Sequence, residues 1–116
     1  MLRKKLTKSK IIDGDYYYID TLIYTERMLG HIELAKKLAE SALSNNPAHV
    51  MPRNELIRIA LMEGDREKAK KLIEQQKTFY AKVRRLKTEA YRTYEKSEEE
   101  TLQLEDMLDG KTEITK

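Results

Sequence analysis

Two histidines, His31 and His49, have the widest chemical repertoire of the residues in this chain. Imidazole binds metals and transfers protons near neutral pH. A zinc site needs about four ligands, yet the histidines lie eighteen positions apart and the chain contains no cysteine. Carboxylates are plentiful, but none falls in an apolar pattern that would raise its pKa for acid or base catalysis, and no glycine-rich phosphate loop is present. The sequence therefore predicts no enzyme, no metal site and no cofactor, and we expect both histidines to be turn or packing residues.

Basic side chains could do a second kind of chemistry, since neutralising phosphates gives salt-dependent binding to nucleic acid. The net charge is +3, but the first ten residues carry five basic groups and no acid, whereas residues 95–109 carry seven acids and one base. The asymmetry indicates either an ordinary solvated surface of mixed sign or a nucleic-acid interface. Such an interface would use Arg3, Lys4, Lys5, Lys8, Lys10, Lys77, Arg84, Arg85 and Lys87.

The length of 116 residues allows one small domain and little else. The basic start lacks the apolar run of a secretory signal, and no stretch approaches the ~18 apolar residues of a membrane-spanning helix. The absence of cysteine weakly favours a reducing compartment. We expect a soluble, cytoplasmic protein without a membrane partner.

An internal repeat organises the first two thirds of the chain. When the sequence is shifted by 34 residues, Gly30 falls on Gly64, and ten of the nineteen positions from 22 to 40 are identical. A period of this length is typical of stacked supersecondary units, each unable to bury its apolar face alone. The matches are Leu22 with Leu56, Ile23 with Ile57, Met28 with Met62, Gly30 with Gly64, Glu33 with Glu67, Ala35 with Ala69, Lys36 with Lys70, Lys37 with Lys71, Leu38 with Leu72, and Glu40 with Glu74.

The sequence of each copy of the repeat predicts two helices joined by a glycine. Apolar residues at helical spacing predict a first helix from about Tyr16 that ends at Gly30, because glycine adopts the left-handed conformation of a helix end without strain. The second helix should run over 31–44 and stop at an Asn-Asn-Pro sequence. The second copy predicts a helix over 48–63 and a restart after Gly64.

The stretch from Gly30 to Pro47 resembles the second half of a tetratricopeptide (TPR) repeat. It has glycine at the turn between helices, small residues at Ala35, Ala39 and Ala42, and a closing proline. Small residues at these contact positions let two antiparallel helices approach closely.

The second copy departs from this pattern in its second half. It keeps Gly64 and Ala69, but Ile73 and Gln76 replace alanines and no proline closes the unit. The resemblance covers residues 16–76.

The resemblance implies a binding groove, because in this family the first helix of each unit lines a concave surface that holds a peptide. The alternative is that Met28, Leu61 and Met62 are core residues under a neighbouring helix. Asp20 and Tyr24 stand where one subclass has the lysine and asparagine that clamp a peptide carboxylate, which argues against such a clamp. The groove residues would be Tyr17, Asp20, Tyr24, Arg27, Met28, Met51, Asn54, Arg58, Leu61 and Met62.

The last third of the chain predicts one long helical segment. Apolar residues alternate at spacings of three and four from Ala69 to Ala90, and neither glycine nor proline occurs from 65 to 109. Because two units are fewer than the roughly three that a stable stack needs, the open end must be covered. Either the segment folds back as a cap, with a capping box at Ser97, or an unbroken helix pairs with a second copy. Self-association would use Phe79, Val83, Leu86 and Tyr91.

The sequence thus predicts an all-α fold of two tetratricopeptide-like helix-turn-helix units followed by a long C-terminal helix. The predicted parts are a basic arm over 1–12, two units over 13–76, an extended, coiled-coil or capping segment over 77–109, and a flexible tail over 110–116. We expect a non-catalytic adaptor or assembly subunit that binds another protein or peptide, with a homodimer through the C-terminal helix as one form. The alternatives are a basic helical protein that binds nucleic acid and a self-assembling structural subunit.

Overall fold

The structure, a computed structural model, describes residues 16–85 and 94–111, with side chains from Tyr18 onward. Every regular element in these ranges is helical, which confirms the all-α fold class. None of the described helices is both long and apolar enough to cross a membrane. The helices are α1 (Tyr16–Met28), α2 (Ile32–Asn45), α3 (Met51–Met62), α4 (Arg66–Arg85) and α5 (Glu95–Leu108).

Three of the helices end in the same way, at a glycine with positive φ. The angle is +86° at Gly30, +77° at Gly64 and +79° at Gly110. After α1, the amide of His31 donates to the carbonyl of Glu26 at 2.8 Å, the bond that marks a Schellman motif, and equivalent bonds follow α3 and α5. The predicted ends of the first and third helices are therefore confirmed, and each has a local chemical cause.

Helix α3 begins three residues later than the sequence predicts, at Met51 and not at Ala48. The side chain of Asn46 accepts a hydrogen bond from the amide of Ala48 at 3.1 Å, and its carbonyl accepts one from the amide of His49 at 3.0 Å. Asparagine commonly closes such a turn on its own backbone. These bonds hold the residues after Pro47 in a turn and delay the helix.

The chain forms two compact units, an N-terminal unit (Met1–Pro52) and a C-terminal unit (Arg53–Lys116). In the N-terminal unit, α1 and α2 pack against each other. Ile23 from α1 is fully buried, as are Ala35 and Ala39 from α2, and Ala42 is 8% exposed. The alanines give α2 a flat side on which a branched residue of another helix can pack closely.

In the C-terminal unit, α3, α4 and α5 share one apolar core. Two contacts fix the direction of α5, since Lys77 pairs with Glu105 and Arg84 pairs with Glu98. Residue numbers rise along α4 while they fall along α5, so the two helices are antiparallel. The core residues are Ile57, Ala60, Leu61, Ala69, Ile73, Leu104, Met107 and Leu108.

This antiparallel packing bears on the two sequence alternatives for the last third. In the structure α5 returns along α4, which is the arrangement that the fold-back alternative predicts. Folding back buries Leu104, Met107 and Leu108 against α3 and α4. A straight helix would leave these side chains without that burial, at a cost of about 1.5–3 kcal/mol for each large one.

Candidate interaction surface and polar core

Three large apolar side chains stand exposed at the end of α1. Tyr24, Met28 and Leu29 are 50%, 53% and 65% exposed; we call them the α1 patch. Two of them, Tyr24 and Met28, belong to the predicted groove residues. Tyr17 also lies in α1, but its side chain is outside what the structure describes.

Arg27 lies beneath this patch and is only 5% exposed. Its guanidinium carbon is 5.2 Å from the centre of the Tyr24 ring, and its Nη1 atom is 3.7 Å from the sulfur of Met28. A cation over an aromatic face contributes about 0.5–1 kcal/mol at an exposed site. The predicted role of Arg27 as a direct contact stays a prediction, whereas its position is that of a support for two exposed neighbours.

Each histidine faces one carboxylate of the N-terminal unit. His49 Nε2 is 3.0 Å from both oxygens of Asp20, with side chains 9% and 26% exposed. His31 Nδ1 is 2.6 Å from Glu26 Oε1. In residues 18–85 and 94–111, no three side chains of histidine, aspartate or glutamate come together as metal ligands would. The paired histidines join α1 to the turns that follow α1 and α2.

The groove residues predicted on α3 have mixed positions. Met51 and Met62 are partly buried, while Asn54 is fully buried and Leu61, at 4% exposed, belongs to the apolar core. Arg58 reaches α5, where its Nη2 atom lies 3.4 Å from Glu100 Oε2.

Inside the C-terminal unit, five buried polar side chains form a directed chain of hydrogen bonds. Gln76 Nε2 donates to the Tyr80 hydroxyl at 3.2 Å, and that hydroxyl lies 3.1 Å from Thr101 Oγ1. Thr101 donates to Asn54 Oδ1 at 2.6 Å, and Asn54 Nδ2 donates to the Ser97 carbonyl at 3.0 Å. With Tyr80 donating to Thr101, the hydroxyls of Tyr80 and Thr101 each use their one proton. We call these residues the polar chain: Asn54, Gln76, Tyr80, Ser97 and Thr101.

A charged group on α3 begins this chain. Arg53 Nη1 donates to Gln76 Oε1 at 2.9 Å, which fixes the amide so that its nitrogen points to Tyr80 and Asn54. Burial lowers the pKa of the Arg53 guanidinium, whose ordinary value is high enough to keep it charged at neutral pH. Burial also raises the pKa of the Tyr80 hydroxyl. The polar chain is therefore an aligned network in which each bond polarises the next.

Sequence reasoning missed the polar chain, although one signal for it is present. Gln76 occupies a position in the apolar alternation of α4 where a hydrophobic residue is expected. A lone polar residue in such a stripe needs a partner when it is buried. Its partners Asn54 and Arg53 lie 22 and 23 positions away in another helix, a separation that helical periodicity cannot resolve.

The residues predicted for self-association and for nucleic-acid binding are only partly described. Phe79 is half-buried, with its ring 5.1 Å from the ring of Tyr94, and Val83 is also half-buried. Lys77 and Arg84 pair with carboxylates of α5, which neutralises part of the predicted basic stripe, while Arg85 is exposed. The other predicted residues lie outside the described ranges: Arg3, Lys4, Lys5, Lys8, Lys10, Leu86, Lys87 and Tyr91.

The C-terminal unit thus uses its polar residues to hold itself together, and the N-terminal unit presents an apolar surface. Comparisons of the chain with protein-family models, with curated proteins and with solved structures find no match.

Proposed function

We propose that this protein is a non-catalytic cytoplasmic adaptor with two tetratricopeptide-like units, which binds another protein or peptide through the α1 patch. The observation that carries the proposal is the exposure of Tyr24, Met28 and Leu29, each half or more open to solvent within two turns of chain. Tyrosine and methionine are enriched at protein interfaces because they offer large and adaptable contact area. A partner that presents apolar side chains would bury this patch.

The support under the patch favours binding over incidental exposure. Arg27 restrains both Tyr24 and Met28 from below, and a side chain already held in place loses less conformational entropy when a partner orders it. The contact of His49 with Asp20 restrains the preceding turn of α1. The patch is thus an ordered surface before any partner arrives.

The proposal uses fewer residues than the sequence suggests. Tyr24 and Met28 are kept as contacts, while Asn54 and Leu61 are left out because their side chains have almost no exposed surface. Arg58 is left out because it pairs with Glu100.

The experiment replaces Tyr24 and Met28 together by alanine and compares proteins captured from cell extract by tagged wild type and variant. A partner identified by wild-type capture is then purified, and its dissociation constant is measured by calorimetry. Truncating two central contacts typically costs at least ~2 kcal/mol, so we expect binding to weaken by ~30-fold or more. The variant should remain folded and lose no more than the ~0.5–1 kcal/mol of the contact between Arg27 and the Tyr24 ring, since both side chains are exposed.

Leu102→Ala is the matched control, because Leu102 is 45% exposed but lies on α5. It should retain wild-type affinity. Equal affinity of the Tyr24→Ala/Met28→Ala variant and wild type would remove the α1 patch from the function.

A further inference from the structure

Helix α5 packs on a surface that residues of α3 and α4 form. In the described part of the chain, residues between 53 and 84 form one side of this contact, and residues between 94 and 108 form the other. The two sides are joined only through the connection 86–93. We call the first side the α5 docking face; its polar members are Asn54, Arg58, Arg66, Lys77, Tyr80 and Arg84.

The docking face is selective for the α5 sequence. Thr101 and Ser97 complete the polar chain, while Glu98 and Glu105 meet basic side chains of α4. The apolar residue Leu104 is fully buried between them. A helix that lacks this order of hydroxyl, acid and leucine would leave buried polar groups without partners, at about 1–3 kcal/mol each. The face is therefore specific for α5, but it does not specify which copy of the chain supplies it.

The sequence of the connection opposes the fold-back that the contacts require. The turns after α1 and α3 each have a glycine at positive φ, whereas glycine and proline are both absent from 65 to 109. Residues 86–93 are Leu-Lys-Thr-Glu-Ala-Tyr-Arg-Thr, and most of these types favour helix. The three-and-four apolar spacing of α4 also continues through Leu86 and Ala90. Local propensity thus favours straight continuation, whereas the docking contacts favour a sharp reversal.

Exchange of α5 between two copies satisfies both preferences. We propose that the α5 docking face binds α5 of a second copy of this chain, in a two-fold dimer in which each chain supplies its α5 to the other. Every contact of the fold-back form is then regained, and the chain leaves α4 without reversing. A reciprocal exchange closes on itself, so it stops at two copies. Because association depends on concentration, the dimer fraction rises with protein concentration.

The absence of cysteine from the chain provides a direct test. Lys77 Nζ and Glu105 Oε2 are 2.9 Å apart at the tips of two long side chains, so thiols at these two positions lie too far apart for a direct disulfide but within reach of a short bismaleimide. We therefore make two proteins, one Lys77→Cys and the other Glu105→Cys, mix them at high concentration, warm them to allow exchange and treat them with the bismaleimide. A cross-link between the two different proteins, seen as a covalent dimer by mass spectrometry, is expected only if α5 of one copy docks on α4 of the other.

The control mixes Lys77→Cys with Gln103→Cys, which places the thiol on the exposed side of α5. Its mixed cross-link reports random collision, and we expect the Glu105→Cys mixture to exceed it at least tenfold. Mixed cross-link at the control level, in proteins whose circular dichroism shows them folded, would overturn the proposal.

Changing the length of the connection gives an independent measurement. Deleting residues 88–90 should prevent α5 from folding back, so light scattering should give twice the 13.7 kDa of one chain. Inserting Gly-Ser-Gly-Ser after Glu89 should ease the reversal and give a single-chain mass at the same concentration. If the deletion variant is folded and remains at the mass of one chain, exchange of α5 is refuted; if it is unfolded, the cross-linking experiment decides.

Discussion

Replacing Asn54 by alanine should destabilise the C-terminal unit more than any other single polar substitution. Asn54 is fully buried and joins three helices. Its Oδ1 accepts from Thr101 at 2.6 Å and from Gln76 at 3.0 Å, and its Nδ2 donates to the Ser97 carbonyl at 3.0 Å. Three buried bonds contribute about 1 kcal/mol each, and the cavity and the weakened partners add about 1–2 kcal/mol. We expect a loss of about 4 kcal/mol in the free energy of unfolding.

This loss is large compared with the free energy of unfolding of an ordinary domain, which is about 5–15 kcal/mol. Urea titration followed by circular dichroism measures it, and amide hydrogen exchange should show faster opening in α5. Asn45→Ala is the matched control, since Asn45 is exposed at the end of α2 and the change should stay within about 0.5 kcal/mol. A loss below 1 kcal/mol for Asn54→Ala would refute the reasoning that the polar chain holds α5.

A double-mutant cycle sharpens this prediction. Thr101→Val keeps the shape of the side chain while it removes the hydroxyl that bonds to Asn54 at 2.6 Å. Since both substitutions break the same bond, their effects should fall short of additivity by at least 1 kcal/mol. Additive losses would mean that the two residues act separately.

Three further predictions test the packing and charge of the C-terminal unit. Leu104→Ala should lower the free energy of unfolding by about 2–5 kcal/mol, because Leu104 is fully buried, whereas Leu102→Ala on the same helix should change it by less than about 0.5 kcal/mol in urea titration. Burial raises the pKa of Tyr80 above its ordinary 10.0, and the bond to Glu105 raises the pKa of Lys77 above 10.5. Both groups hold their protons more tightly in the folded chain, so their stabilisation is complete below about pH 10 and is lost as the pH rises through the raised pKa values. The urea midpoint should therefore fall between about pH 10 and pH 12, and it should fall less steeply in Tyr80→Phe. Lys77→Glu should cost no more than about 1 kcal/mol, since that side chain is 42% exposed, and adding Glu105→Lys should restore most of the lost melting temperature.

The local parts of this fold could be predicted from the sequence because their causes are local. Gly30 and Gly64 end helices through their own backbone angles, and the 34-residue repeat predicts four helices close to the observed bounds. The start of α3 was missed by three residues, because the turn depends on the side chain of Asn46.

The position of α5 could not be predicted, because its causes are contacts between distant residues. The connection has no turn sequence, and only docking of Leu104 and Thr101 shows that the chain reverses. For the same reason Asn54 was placed in a groove: periodicity identifies the faces of α3 but not which face another helix covers. Tyr24 and Met28 were placed in the same groove and are exposed, but their role as partner contacts stays a prediction.

At the three glycines that end helices, the backbone conformation and not a lack of space disfavours other residues. Nothing lies within 4 Å of the place where a Cβ atom would stand at Gly30, Gly64 or Gly110. An L-alanine would therefore meet no neighbour, but its backbone would be strained at positive φ by about 1–2 kcal/mol. A D-alanine prefers this same region and would also narrow the conformations of the unfolded chain, which is worth about 0.4–1 kcal/mol. We therefore expect D-alanine at these sites to stabilise the fold and L-alanine to destabilise it. At these positions of both units, the handedness of the residue alone decides whether a substitution raises or lowers the free energy of unfolding.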